Sequence, residues 1–127
     1  MMFFFYGTLL RGEPNYVRLG METRARFVGE DAIAGTLHDY GTHPGARLGG
    51  GGHIRGEVFE LLDPGLLADL DELEEYDPEN PEASFYRRLA VTTEAGRAVS
   101  TYAPVAPPDG LPLVPEGDWR AHIAAQG

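Results

Sequence analysis

Seventeen glycines and ten prolines are spread through a chain of 127 residues. That is nearly twice the usual share of the two residues together. Both weaken helix interiors, glycine by its backbone entropy and proline by its missing N–H. A bundle of long helices is therefore disfavoured, and short strands joined by many turns fit better. The length suits one domain, residues 1–127, with a single core region. Apolar residues at 43% and charged residues at 24% are ordinary for a folded globular protein.

Strand and helix signals follow this punctuation. Met1-Met2-Phe3-Phe4-Phe5-Tyr6 is a fully apolar run stopped by Gly7, as in a strand buried on both faces. Residues 7–15 form a loop, after which Asn15 caps a short helix through Tyr16, Val17 and Leu19. A second strand is expected over residues 32–40, and a clearer one over residues 54–62 (IRGEVFELL). Between them, residues 41–52 are Gly-rich and are expected to be a loop with some mobility. The best helix starts with Asp63 as cap and Pro64 at its first position, runs through LLADLDELEEY, and ends at Asp77-Pro78. Residues 85–93 and 98–104 flank a Gly-containing turn and predict a β-hairpin. A proline-rich extended connection follows, then a last helix over residues 119–125 capped by Asp118. Phe3, Phe5, Ile33, Leu37, Val58, Phe59, Leu66, Leu70 and Leu73 are the expected core.

Charge and missing residue types remove whole function classes. Twenty acids face ten bases, a formal charge of -10, so the basic footprint needed for a nucleic acid is lacking. All ten bases are arginine. Without lysine there is no side-chain amine for Schiff-base chemistry. The arginine-only, Gly- and Ala-rich composition hints at a GC-rich bacterial genome. Cysteine is absent, which excludes disulfides, thiolate nucleophiles and Cys-ligated metals. His38, His43, His53 and His122 show no metal-ligand spacing, so no metal is expected. Ser84 and Ser100 do not sit in a nucleophile elbow, and no Lys-Ser/Thr follows Gly49–Gly52 as a phosphate loop would require. The apolar N-terminal run is too short for a signal peptide or membrane span. A cytoplasmic location and no membrane partner are expected.

Two features remain for chemistry. On a helical wheel of roughly 100° per residue, Leu66, Leu70 and Leu73 share one side, with Leu62 and Leu67 at its margins. Glu74 falls about 40° from Leu70, inside the stripe, whereas Glu72 and Glu75 point away. Of the acids in Asp71-Glu72-Leu73-Glu74-Glu75, Glu74 is thus the one carried inward. A buried carboxyl has a raised pKa and can serve as a general base. The pattern equally allows Glu74 to swing to solvent or to pair with Arg87 or Arg88. The second feature is Tyr6-Gly7-Thr8-Leu9, where a buried strand ends in Gly and a small hydroxyl residue. Backbone N–H groups there can bind a carboxylate or oxyanion, although a plain turn has the same sequence.

Several segments together resemble one family. FFFYGTLLRGEPNY (residues 3–16) is similar to a strand followed by Tyr-Gly-Ser/Thr-Leu, then Arg/Lys-Gly and Asn. GEVFELLDPGLLADLDELEEY (56–76) resembles a Gly-Glu-Val-Tyr/Phe strand and its helix end, FYRRLAV (85–91) a Tyr-x-Arg strand, and GDWR (117–120) a recurrent ending. The chain so resembles the gamma-glutamylcyclotransferase-like superfamily, on the branch of gamma-glutamylamine cyclotransferases and AIG2-like proteins. Two departures stand out. Glu75 follows Glu74 where the family has Gly, and residues 77–83 form a longer acidic insert.

The resemblance implies an α+β fold, a small mixed β-barrel with a few outer helices. It implies a small-molecule gamma-glutamyl amide or peptide substrate, cyclised without cofactor to 5-oxoproline with release of an amine. Carried over by position, Glu74 is the acid/base and Tyr6, Gly7, Thr8 and Leu9 hold the glutamyl part. Two other readings stay open. One is a non-catalytic small-molecule binding module on the same barrel. The other is an interaction protein docking through Glu72, Glu75, Asp77 and Glu79, which a solvated face also explains.

Overall fold

A computed structural model describes residues 1–126. Seven strands alternate with four short helices: β1 (Met2–Phe5), α1 (Pro14–Arg18), α2 (Met21–Arg24), β2 (Ala25–Ile33), β3 (Gly35–Asp39), β4 (Pro44–Leu48), β5 (Ile54–Leu61), α3 (Leu66–Leu73), β6 (Tyr86–Thr92), β7 (Ala98–Pro104) and α4 (Trp119–Gln126). Among the described residues no helix exceeds eight residues, as the distribution of glycine and proline dictates. None of the described helices is long and apolar enough to cross a membrane.

The strands form a five-stranded sheet in the order β2-β5-β1-β7-β6 and a separate two-stranded ladder, β3-β4. The fold is therefore α+β and dominated by sheet, but the strand pairing does not close into the expected barrel. The chain turns a corner between β2 and β3 at Gly35, whose φ of 149° and close approach to the Arg47 carbonyl leave no room for a side chain. Past this corner β3 pairs with β4 on one side and meets the 112–114 segment in an isolated bridge, His38 to Leu113, on the other. β4 opens with Pro44, which has no N–H to extend a ladder across to β7.

β1 lies at the centre, antiparallel to β5 and parallel to β7. Its alternate side chains enter two different cores. Phe3 and Phe5 join Phe59, Leu66, Leu70 and Tyr102 beneath α3. Phe4 joins Ile33, Leu37, Ile54, Val58 and Trp119 on the face covered by β3-β4 and α4. Eight of the nine expected core residues are buried. Leu73 is half-buried, packed against the first core with an edge on a cavity.

Several boundaries differ from expectation. α3 begins at Leu66, because Asp63 is taken up elsewhere: its carboxylate accepts the Gly65 N–H at 2.9 Å and pairs with Arg24 at 2.7 Å. Leu62 is consequently exposed. Asn15 does not cap α1, where Glu13 holds that position; its amide donates to Thr8 Oγ1 at 2.8 Å. The Gly-rich segment 41–52 contains β4, whose Ala46 is core. The expected strand over residues 32–40 is divided at Gly35, its first two residues ending β2 and residues 35–39 forming β3; the remainder of β2 and all of α2 were not anticipated. Asp118 does cap α4, accepting the Ala121 N–H at 3.1 Å.

Candidate active site

β1 delivers the chain into a tight turn at its C-terminal end. Gly7 is needed there because a Cβ would sit 2.6 Å from Pro44 Cγ, so the turn and the start of β4 pack against each other. Leu10 N–H donates to the Gly7 carbonyl, and Asn15 ties down Thr8 through both its backbone N–H and its amide. The buried Glu57 of β5 fixes the outgoing loop. It accepts the Arg11 N–H at 2.8 Å and the Arg11 Nε at 3.1 Å, and Arg120 of α4 pairs with it at 3.2 Å. Three of the motif segments, GEVF, RG and GDWR, thus converge on one clamp. Among the described residues, none of the backbone N–H groups of Gly7, Thr8 and Leu9 donates to a protein acceptor.

These groups face a cavity of about 470 Å³, whose wall also includes Glu74, Glu75, His43, Phe85 and Tyr86. All five residues singled out beforehand, Tyr6, Gly7, Thr8, Leu9 and Glu74, line this one cavity. The Tyr6 hydroxyl is already committed, donating to the Tyr102 carbonyl at 2.7 Å. Tyr6 therefore forms wall, while Gly7, Thr8 and Leu9 offer N–H groups.

Glu74 terminates α3 as its C-cap residue, with φ and ψ of −85° and 6°. Its side chain keeps an edge at the cavity mouth, and its carboxyl is enclosed. Among the described residues no guanidinium lies within ion-pairing distance of it, because Arg88 is held by Asp71 at 2.6 Å. Desolvation, with the neighbouring Glu75 charge second, pushes its pKa up to about 7. Burial, then the Glu74 charge, likewise raises the Tyr86 hydroxyl well above its ordinary value.

Two expectations about this helix end need correction. Asp71 is also turned inward, where Arg88 and the Tyr102 hydroxyl (2.5 Å) neutralise it. Glu75 is exposed, yet it also forms part of the cavity wall. The wheel fails there because the helix has ended: Glu75 takes a φ of 51°, in the left-handed region.

Sequence reasoning missed Tyr86 and His43. The Tyr86 hydroxyl donates to the Pro44 carbonyl at 2.8 Å, and His43 Nδ1 lies 2.9 Å from that hydroxyl. The signal was present in Tyr86-Arg87-Arg88: alternate residues of a strand share a face, which carries Tyr86 to the cavity and Arg88 to Asp71. His43 gave no signal, because its place depends on β4. Among the described residues no cluster of His, Asp and Glu is arranged to hold a metal ion.

Comparison with known proteins gives the family and the fold. The sequence model of the family described as gamma-glutamyl cyclotransferase, AIG2-like, matches residues 3–121. Over 120 residues the chain is 34% identical to the gamma-glutamylcyclotransferase family protein YtfP of Escherichia coli (strain K12), covering 94% of this chain and 96% of that one. The solution structure of ytfP from Escherichia coli superposes with a TM-score of 0.66 at 32% identity, over 94% of this chain and 96% of that one. The crystal structure of an AIG2-like protein from Mus musculus gives a TM-score of 0.69 at 26% identity, over 92% and 87% of the two chains. The chain belongs to the gamma-glutamyl cyclotransferase, AIG2-like family.

Proposed function

We propose that the protein is an enzyme that cyclises a gamma-glutamyl amide to 5-oxoproline and releases the amine. One observation carries this reading: an unpaired, enclosed Glu74 carboxyl shares a cavity with the undonated N–H groups of Gly7, Thr8 and Leu9. Such a cavity suits a zwitterionic glutamyl group. The N–H groups take its α-carboxylate or the oxyanion developing on its γ-carbonyl. Glu74, ionised about half the time at neutral pH, accepts a proton from the α-ammonium.

The freed amine then attacks the γ-carbonyl carbon of the same molecule. One C–N bond forms and the amide C–N bond breaks; the attacking nitrogen sheds a second proton as it becomes the lactam N–H, and both protons pass in turn by way of Glu74 to the departing nitrogen, which leaves as an ammonium. No water is consumed and Glu74 ends as it began. Because the attack is intramolecular, the cavity contributes mainly by holding the substrate in its ring-closing shape. Glu57, Arg11 and Arg120 keep the donor loop in place but do not reach the reacting atoms.

The test is a panel of gamma-glutamyl amines and gamma-glutamyl peptides incubated with the protein, with 5-oxoproline followed by mass spectrometry. Formation of 5-oxoproline by the native protein and not by Glu74→Gln supports the reading. Binding of these compounds without turnover would replace it with a non-catalytic binding module.

A further inference from the structure

The cavity wall holds a histidine to which the cyclisation gives no task. Tyr40 N–H donates to the His43 carbonyl at 3.0 Å, closing the turn between β3 and β4. That turn lays the imidazole against the Tyr40 ring, with centroids 5.1 Å apart and planes 16° from parallel, and the Phe85 ring meets it edge-on. The plane of the imidazole is thereby fixed, and its two nitrogens have different surroundings.

The hydrogen bonds assign the tautomer. The Pro44 carbonyl can only accept, so its 2.8 Å contact takes the single proton of the Tyr86 hydroxyl. Burial, then the Glu74 charge, holds that proton in place. His43 Nδ1, 2.9 Å from the same oxygen, is then the donor of that pair. In the neutral ring Nε2 is left with the lone pair, and among the described residues it makes no hydrogen bond.

Other polar groups of the wall are already engaged. The Tyr6 and Thr101 hydroxyls donate to backbone carbonyls, the Tyr102 hydroxyl to Asp71, and Thr8 Oγ1 receives the Asn15 amide. His43 thus brings an open neutral acceptor to the wall that carries the Glu74 carboxyl. A substrate ammonium has three N–H donors, of which Glu74 takes one. The others need acceptors once water is displaced, because a buried unpaired donor is costly.

We propose that His43 Nε2 accepts one N–H of the substrate's α-ammonium, so that the ammonium is held between His43 and Glu74. This rests on the cyclising role given to the cavity and adds a second ammonium-binding residue to it. His43 accepts a hydrogen bond and takes no proton, so the route of the protons through Glu74 is unchanged.

Asparagine and glutamine separate the two ring nitrogens. His43→Asn keeps an N–H donor where Nδ1 stands and has nothing at Nε2, whereas His43→Gln reaches the Nε2 position with an amide oxygen and gives up the Nδ1 donor. The ligands are gamma-glutamyl-propylamide and glutaryl-propylamide, identical but for the α-ammonium. Calorimetry is run on Glu74→Gln protein, in which the proposed cyclisation does not consume the ligand. That protein is expected to bind the gamma-glutamyl ligand more tightly. Adding His43→Asn should lower the preference about tenfold, and adding His43→Gln should keep it within about threefold. His43→Phe keeps a flat ring against Tyr40 and should lose the preference as His43→Asn does, so the loss is read even where the smaller side chain weakens the turn. Ratios between the two ligands cancel any general effect of a substitution on the cavity. Formation of 5-oxoproline from gamma-glutamyl-propylamide by the native protein is followed alongside.

Where 5-oxoproline forms, a preference that is absent, that survives both His43→Asn and His43→Phe, or that falls as far with His43→Gln overturns the role of His43 and leaves the cyclising role standing. The expected pattern of preferences with no 5-oxoproline overturns the cyclising role and keeps an ammonium site at His43. Neither 5-oxoproline nor that pattern overturns both.

Discussion

In the proposed reaction a single carboxyl group sets the pH behaviour of the site. Glu74 has its pKa raised from 4.5 to about 7, so the folded state binds more protons than the unfolded chain between those values. The burden of keeping it ionised is fully present above pH 7, shrinks as pH falls, and is gone below pH 4.5. Glu74→Gln is therefore expected to stabilise the fold at pH 8, by about 3 kcal/mol as an upper bound, and to change little at pH 4.5. Denaturant titrations at the two pH values measure this; equal effects at both would show that the carboxyl is not desolvated. The same substitution should cut turnover about 100-fold or more, and kcat/KM of the native protein should rise through an acidic limb near pH 7. Glu72→Gln, on the exposed side of α3, controls for the lost charge. Next along, Glu75 holds a φ of 51°, a conformation that costs non-glycine residues roughly 1–2 kcal/mol. Glu75→Gly is expected to raise the unfolding free energy by about 1 kcal/mol, and no gain would mean the left-handed turn is not strained.

At the scale of elements, legibility followed how completely one local rule governed each segment. β1 and β5 were readable because continuous apolar or β-branched runs face core on both sides. β2 was not, because it is an edge strand with charged residues facing solvent and an irregularity between Phe27 and Gly29 that breaks the two-residue alternation. β4 hid inside a Gly-rich stretch, since its existence depends on pairing with β3 and on Pro44 packing over Gly7. The placing of Glu74 was legible from the wheel because the backbone stays near helical through that residue; Glu75, one step further, was not. The loop after β1 is where local sequence and distant partners meet. Gly7→Ala should clash with Pro44 and cost about 1–3 kcal/mol, pushing the donor loop out of place. The expected readout is a raised KM with gamma-glutamyl substrates together with a lower melting temperature. An alanine accepted at position 7 with unchanged KM would show that the Gly7–Pro44 contact does not shape the cavity.

For the whole molecule, the decisive feature is that two cores share one strand. Phe3 and Phe5 belong to the core under α3, Phe4 to the core under α4, and the three are consecutive on β1. Loss of packing on one face must therefore loosen the strand that organises the other. The cavity lies off the end of β1, bounded by the donor loop, α3's last turn and the start of β6, so it is assembled only when both faces are packed. This coupling has a built-in reporter: Trp119 is the only tryptophan, and it is buried in the second core. Phe59→Ala removes a large side chain from the first core, at an expected loss of about 3–5 kcal/mol. If β1 makes the two cores one cooperative unit, the Trp119 fluorescence midpoint in denaturant shifts by the same amount as the far-ultraviolet circular dichroism midpoint. A circular dichroism midpoint that falls while the Trp119 midpoint stays put would show that the two faces of the sheet unfold independently. The cavity could then outlive neither core alone, and mutations on either face would have to be read separately for their effects on activity.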